Sequence, residues 1–221
     1  MKNPFKKTEL DKASLQRNTM LLKSLIIVIN VLYALMIFQV FLILPRPDDP
    51  ELKYTSLEQL YSDNLMVLSV IVVGLIMILI YWIQFHKLMG NLVRSSNVHA
   101  SLALFQMIFL MIYLYFVRFD MEYDGLTLAL QMESIFLSLA GFTGALGWVY
   151  ARRHKLTSEE IDETEEASIL YKILPEPMAA LFSLPFAVYG PGIWTLSFLS
   201  IIPIGMILNW LKKKRYPDTT Q

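Results

Sequence analysis

The chain contains no cysteine. Disulfides, thiolate metal centres and thiol nucleophiles are therefore excluded. It has only 3 histidines, His86, His99 and His154, and their spacing suits no metal site. Its 9 glycines build no phosphate-cradling loop, and no nucleophile elbow or intramembrane metalloprotease motif occurs. With no catalytic constellation, no metal and no cofactor expected, the chain reads as a non-enzyme. Charge is scarce as well, at 17% of residues, 19 basic against 19 acidic. The basic groups flank apolar segments instead of forming a patch, so no nucleic-acid partner is indicated.

What the sequence does have is long apolar runs. Hydrophobic residues make up 55% of it, and most runs reach the ~18 residues that a membrane-spanning helix needs. Leu25 to Leu44 is interrupted by only two polar residues, Asn30 and Gln39. Leu65 to Ile83, Ala100 to Val117 and Ile193 to Leu211 carry no charge, and Leu126 to Tyr150 carries only Glu133. The fifth run, Met178 to Tyr189, is too short alone at about 1.5 Å per residue. It must borrow turns from Tyr171 to Pro177, tilt, or enter as a shallow segment. The expectation is one all-α domain over residues 1–221, a polytopic membrane protein with six transmembrane helices. The spans are 20–45, 62–86, 97–118, 125–152, 172–189 and 192–212, after a polar tail at 1–19.

The charges orient this threading. Of the 19 Lys and Arg residues, only Arg46, Lys53 and Arg118 fall in the first and third connections, and the fifth has none. Basic residues in short connections mark the cytoplasmic side, so both termini are expected there. A five-span count would break the rule at Lys212, Lys213, Lys214 and Arg215. The first run is too long, and begins too far in, for a cleaved signal peptide. Pro45 to Asp63 reads as an external acidic loop whose prolines end the first helix. Its acids either concentrate cations or merely reflect the exclusion of bases. Thr157 to Glu160 reads as a helix N-terminus, and the acids through Glu166 as a solvated surface. Tyr189 to Gly192 reads as a tight external turn.

Polar residues inside apolar spans should face protein or water. Asn30 and Gln39 are nine residues apart, which places them on opposite faces of one helix. Leu35, Gln39 and Leu42 share a face, with Phe38 at its edge, while the Asn30 face packs into its own subunit. Each polar residue either contributes to a site or makes an ordinary interhelical hydrogen bond. Glu133, a lone intramembrane carboxyl, is an ion or proton site by default, or is neutralised by a neighbour. Trp82 and His86 share a face at the inner end of the second span, from which His86 is placed to donate to Asn30.

The stretch Tyr81-Trp82-Ile83-Gln84-Phe85-His86-Lys87-Leu88 resembles Tyr-Trp-x-x-His-His-x-Leu of the transmembrane protein 175 potassium channels, in particular their six-helix prokaryotic members. Trp148-Val149-Tyr150-Ala151 resembles that family's exit from the fourth helix, and the order of parts agrees over most of the chain. In Val28-Ile29-Asn30-Val31-Leu32-Tyr33-Ala34-Leu35, Asn30 takes the position of the family's signature Asp and Tyr33 that of its Phe. Phe85 replaces the first of the paired histidines.

The resemblance implies a homotetramer in the plasma membrane of a prokaryote, in contact with lipids, conducting monovalent cations and preferring potassium. Its first helices would line the pore, with an apolar ring at Leu35 and further rungs at Phe38 or Gln39 and at Leu42. Asn30, Trp82 and His86 would form a neutral version of the network that positions the first helix. Two other readings stand beside the channel: a non-conducting structural or accessory membrane protein on the same scaffold, and a proton-coupled transporter using Glu133.

Overall fold

In lipid a backbone has no water to bond, so an apolar run must satisfy its amides and carbonyls within itself, as a helix. The computed structural model describes residues 4–43, 65–123, 126–158 and 161–216, and among them the chain is all-α. The protein is a multi-pass membrane protein. Among the described residues five helical stretches are long and apolar enough to cross a bilayer: Ala13–Leu42, Ile71–Gly90, Asn97–Met121, Thr127–Arg153 and Pro191–Arg215. The expected acidic, proline-containing connection Pro45 to Asp63 lies outside the described residues.

Helix α1 runs from Pro4 to Ile43, 40 residues without a break. The tail expected at 1–19 is thus helical from Pro4 onward, a residue suited to a first helical turn. At about 1.5 Å per residue α1 is roughly 60 Å long, twice the hydrocarbon thickness, so its polar N-terminal part projects beyond the bilayer. Next come α2 (Leu65–Gly90), α3 (Asn97–Glu122) and α4 (Thr127–Arg153). Ser96 caps α3 by accepting from the His99 amide at 3.3 Å.

The C-terminal third is more broken, and proline is the reason. A short helix α5 (Glu163–Ile173) precedes α6 (Pro175–Ser183), which tightens into a 3-10 segment, Leu184–Tyr189. Pro185 has no amide to give the preceding turn, which favours this tightening. Helix and 3-10 segment together reach roughly 25 Å, short of the ~30 Å hydrocarbon core. Of the turns expected to lengthen this run, Tyr171 to Ile173 belong to α5, and only Pro175 to Pro177 join α6. Gly190, at φ 90°, makes the turn into α7 (Pro191–Ser197). A 3-10 turn, Phe198–Ser200, leads to α8 (Ile201–Arg215). Pro203 cannot donate to the Leu199 carbonyl, so one rung of the ladder is missing there.

Helix α4 is the centre of the bundle. It packs on α3 along most of its length, and on α6, the adjoining 3-10 segment and α5. Close approach is possible because its buried positions include Ala129, Ala140, Gly141, Gly144, Ala145, Gly147 and Ala151. Helix α1 lies at the side of this core, against α2 and α3.

The connection after α4 differs from the sequence expectation. No helix starts at Thr157; the helix begins at Glu163, with the Asp162 carboxylate accepting from the Glu165 amide at 2.6 Å. Residues 157 and 158 instead satisfy the α2–α3 connection. Thr157 bridges to Leu92, and the Ser158 amide donates to the Asn91 carbonyl at 3.0 Å. Nor is the whole acidic run a solvated surface. Glu166 accepts from Arg152 Nε at 2.9 Å and from the Thr157 hydroxyl at 2.7 Å, and its carbonyl accepts from Trp148 Nε1 at 3.0 Å. The same set of connections reaches α1, because the Ser95 amide donates to the Asn18 carbonyl at 3.1 Å.

Candidate functional site

Helix α1 has two distinct faces. Leu22, Leu25, Ile29, Tyr33, Met36 and Val40, spaced by three or four residues, are buried against the protomer. The sequence-predicted pore residues lie on the other side. Leu35 is 54% exposed, Phe38 59% and Leu42 51%, and Gln39 between them is exposed too. More than half of each apolar surface is thus free of the protomer's own packing. An amide at that depth, if turned to lipid, would have its donors and acceptor unmatched.

Asn30 sits at the edge of the buried face, where Trp82 Nε1 donates to its Oδ1 at 3.4 Å. The His86 ring meets Trp82 edge-on at 4.6 Å, and His86 Nδ1 is 3.0 Å from the Trp82 carbonyl. The donation to Asn30 expected of His86 therefore comes from Trp82. One turn further along α2, the imidazole turns back on its own helix. Beside these residues, buried Tyr33 and Phe85 pack ring on ring at 5.9 Å and tie α1 to α2 through apolar contact.

Glu133 is fully buried, and among the described residues neither of its carboxyl oxygens has a hydrogen-bond partner. Its neighbour in sequence is very different. Ser134 Oγ lies 2.8 Å from Ser183 Oγ and accepts from Trp194 Nε1 at 2.8 Å, while Tyr81 donates to the Leu137 carbonyl at 2.9 Å. Those bonds join α2, α4, α6 and α7 and are satisfied interhelical contacts. Glu133, one position earlier on the same helix, takes no part in that network.

Tyr113 and Asp120 belong to a pattern that sequence reasoning missed. His99, Gln106, Tyr113 and Asp120 recur at every seventh position of α3, and all are buried. Seven residues come within about 20° of two full turns, so the four share one face. From first to last they cover about 32 Å at 1.5 Å per residue, a full membrane thickness. Gln106 is turned to α4, where a Cβ on Gly144 would stand 2.9 Å from its amide, whereas the Tyr113 hydroxyl ends beside α2, 3.2 Å from where a Cβ on Gly74 would stand. At the His99 end, Ser95 Oγ is 3.0 Å from His99 Nδ1. A cavity of about 10 Å³ lies among His99, Gln106, Thr143, Gly144, Gly147 and Trp148, close to the smallest that admits one water. Tyr113, like Glu133, is completely buried, and its hydroxyl has no partner among the described residues. A search for charges inside the third run passes over this seam, because Gln106 and Tyr113 are uncharged and His99 and Asp120 lie just beyond the run's ends. A search for a seven-residue polar period would have found it.

Compared with protein-family models, with curated proteins and with solved structures, the chain matches none.

Proposed function

We propose that the chain is a potassium-preferring cation channel of a prokaryotic plasma membrane, a homotetramer with cytoplasmic termini whose α1 helices line a central pore. The observation that carries this reading is the outward face of α1, where the Gln39 amide is set among exposed Leu35, Phe38 and Leu42. Copies of the chain around an axis would give that amide water or a symmetry mate and would form apolar rings that gate by dewetting. The likeness to the transmembrane protein 175 channels supplies the fourfold symmetry and the choice of potassium. In this reading the Trp82–Asn30 bond and the Tyr33–Phe85 contact hold α1 in place, in the role of the family's charged network.

The absence of cysteine makes the arrangement testable without background. A single Gln39→Cys or Leu42→Cys substitution is expected to cross-link copies of the chain under mild oxidation in the membrane. Ile29→Cys, on the buried face of α1, is expected not to. The same preparation in liposomes is expected to release potassium down its gradient. A protein that stays monomeric, cross-links at neither position and releases no potassium is not a channel of this kind. An intact tetramer that does cross-link but passes no ion would be the scaffold without conduction, a reading favoured by the bulk of Phe38 on the pore-ward face.

A further inference from the structure

We propose that the pocket between α5, α6 and α8 binds the phosphate headgroup of an anionic lipid, held by Lys172 and Lys212. The site lies at the end of α8 that carries its basic residues, and it does not depend on α1 lining a pore.

The pocket follows from the way the C-terminal third is broken. Helix α8 packs on both α5 and α6. Where α5 gives way to α6, a cavity of about 360 Å³ stays open beside α8, within the range of small-ligand sites. Gly205 and Pro175 meet there: a Cβ on Gly205 would stand 3.9 Å from the proline ring, ordinary contact. Gly205, Asn209 and Lys212 line it from α8, and their spacing keeps them within about 60° of one another. Tyr171 and Lys172 line it from the last turn of α5.

The chemistry of this lining points to one class of ligand. Two ammonium groups, an amide and a phenol can all donate hydrogen bonds, and no carboxylate lines the pocket. Among the described residues none of these side chains has a hydrogen-bond or ion-pair partner. Glu176, which follows Pro175, hydrogen-bonds Gln84 on α2 instead. A phosphate diester, an anion that only accepts, matches such a set.

Position decides between a lipid and a soluble anion. Asn209 lies inside the last apolar run, yet it is exposed, so its amide needs a polar partner at the depth of the headgroups. Towards the bilayer centre α8 presents exposed Ile202, and beside Gly205 exposed Met206, surface for acyl chains to cover. Basic pockets between membrane helices take anionic headgroups in this way. Lys214 is differently placed. It lies on the opposite side of α8 from Gly205, with its Nζ 5.5 Å from the centre of the Trp210 ring.

The test uses the full chain in detergent, titrated with phosphatidylglycerol or phosphatidylcholine and read by native mass spectrometry. Phosphatidylglycerol is expected to bind roughly tenfold more tightly than phosphatidylcholine. Lys172→Gln and Lys212→Gln together are expected to weaken its binding about tenfold or more. Lys214→Gln with Arg215→Gln removes the same charge outside the pocket and is expected to change binding less than about threefold. Gly205→Leu keeps every charge, fills the pocket, and is expected to displace the lipid; it serves as the test if the Lys172/Lys212 variant does not fold. Excess inorganic phosphate is expected to leave the lipid bound. The proposal is overturned if the two lipids bind alike, if the two charge pairs matter equally, if Gly205→Leu binds lipid as the wild type does, or if inorganic phosphate displaces the lipid. None of these variants touches α1, so the cross-linking and potassium-release results stand or fall separately.

Discussion

Leu35→Ala should raise potassium flux through the reconstituted protein by about tenfold, the effect of lowering a barrier by roughly 1.4 kcal/mol. The barrier in question is the dewetting of an apolar ring. Shortening every copy of Leu35 widens the ring and lowers the cost of wetting it. Phe38→Ala should act in the same direction, since its ring is larger and no less exposed. Both side chains are more than half free of the protomer, so neither change should alter thermal stability by more than the ±0.5 kcal/mol typical of surface substitutions. That separation makes the experiment informative. A lipid-facing leucine would leave flux unmoved, and a structural one would lower the melting temperature. Unchanged flux in both variants, with the tetramer intact, would remove α1 from the permeation path.

The second large effect concerns α4, and takes the form of a ranking. Gly141→Ala should be the most damaging of three glycine changes, Gly144→Ala intermediate and Gly147→Ala harmless. A Cβ at Gly141 would stand 2.5 Å from the Tyr81 hydroxyl and 2.6 Å from the Pro177 ring. The proline cannot swing away, and the tyrosine is held by the Leu137 carbonyl. Overpacking of this kind costs roughly 1–3 kcal/mol, which outweighs the ~1 kcal/mol of helix propensity gained over glycine. At Gly144 the obstruction is the Gln106 amide, the far end of a flexible side chain, which can yield. At Gly147 the nearest atom is Leu102 Cβ at 3.9 Å, ordinary contact, so the propensity gain remains and the variant should melt slightly higher. Thermal unfolding in detergent, followed by tryptophan fluorescence, would check the order. A Gly141→Ala variant as stable as Gly147→Ala would mean that α4 and α6 do not pack as closely as described.

The α1 face was legible in the sequence for a specific reason. Helical periodicity alone separates Leu35, Gln39 and Leu42 from Ile29, Tyr33 and Met36, and the structure buries only the second set. The Asn30 contact was half legible. Its partner helix was correctly expected from the depth of Trp82 and His86, but which of two residues one turn apart donates depends on side-chain rotamers that spacing does not encode. The start of α5 is not legible in the sequence, because Thr157 has the chemistry of a helix cap while the backbone of the α2–α3 connection competes for it.

The polar seam of α3 is the least legible feature of the sequence. Glu133 stands out because it is charged, whereas Gln106 and Tyr113 gain meaning only when α4 and α2 are laid against them. The sequence by itself determined the all-α, multi-pass character and the outward side of α1, because transfer of apolar side chains from water and the 3.6-residue repeat are properties of a single segment. Which buried polar groups meet, which stay unpartnered, and where α4 admits its neighbours were decided by tertiary structure alone. Those outcomes depend on the register between helices far apart in the chain, set by glycines whose missing side chains leave no hydropathy signal.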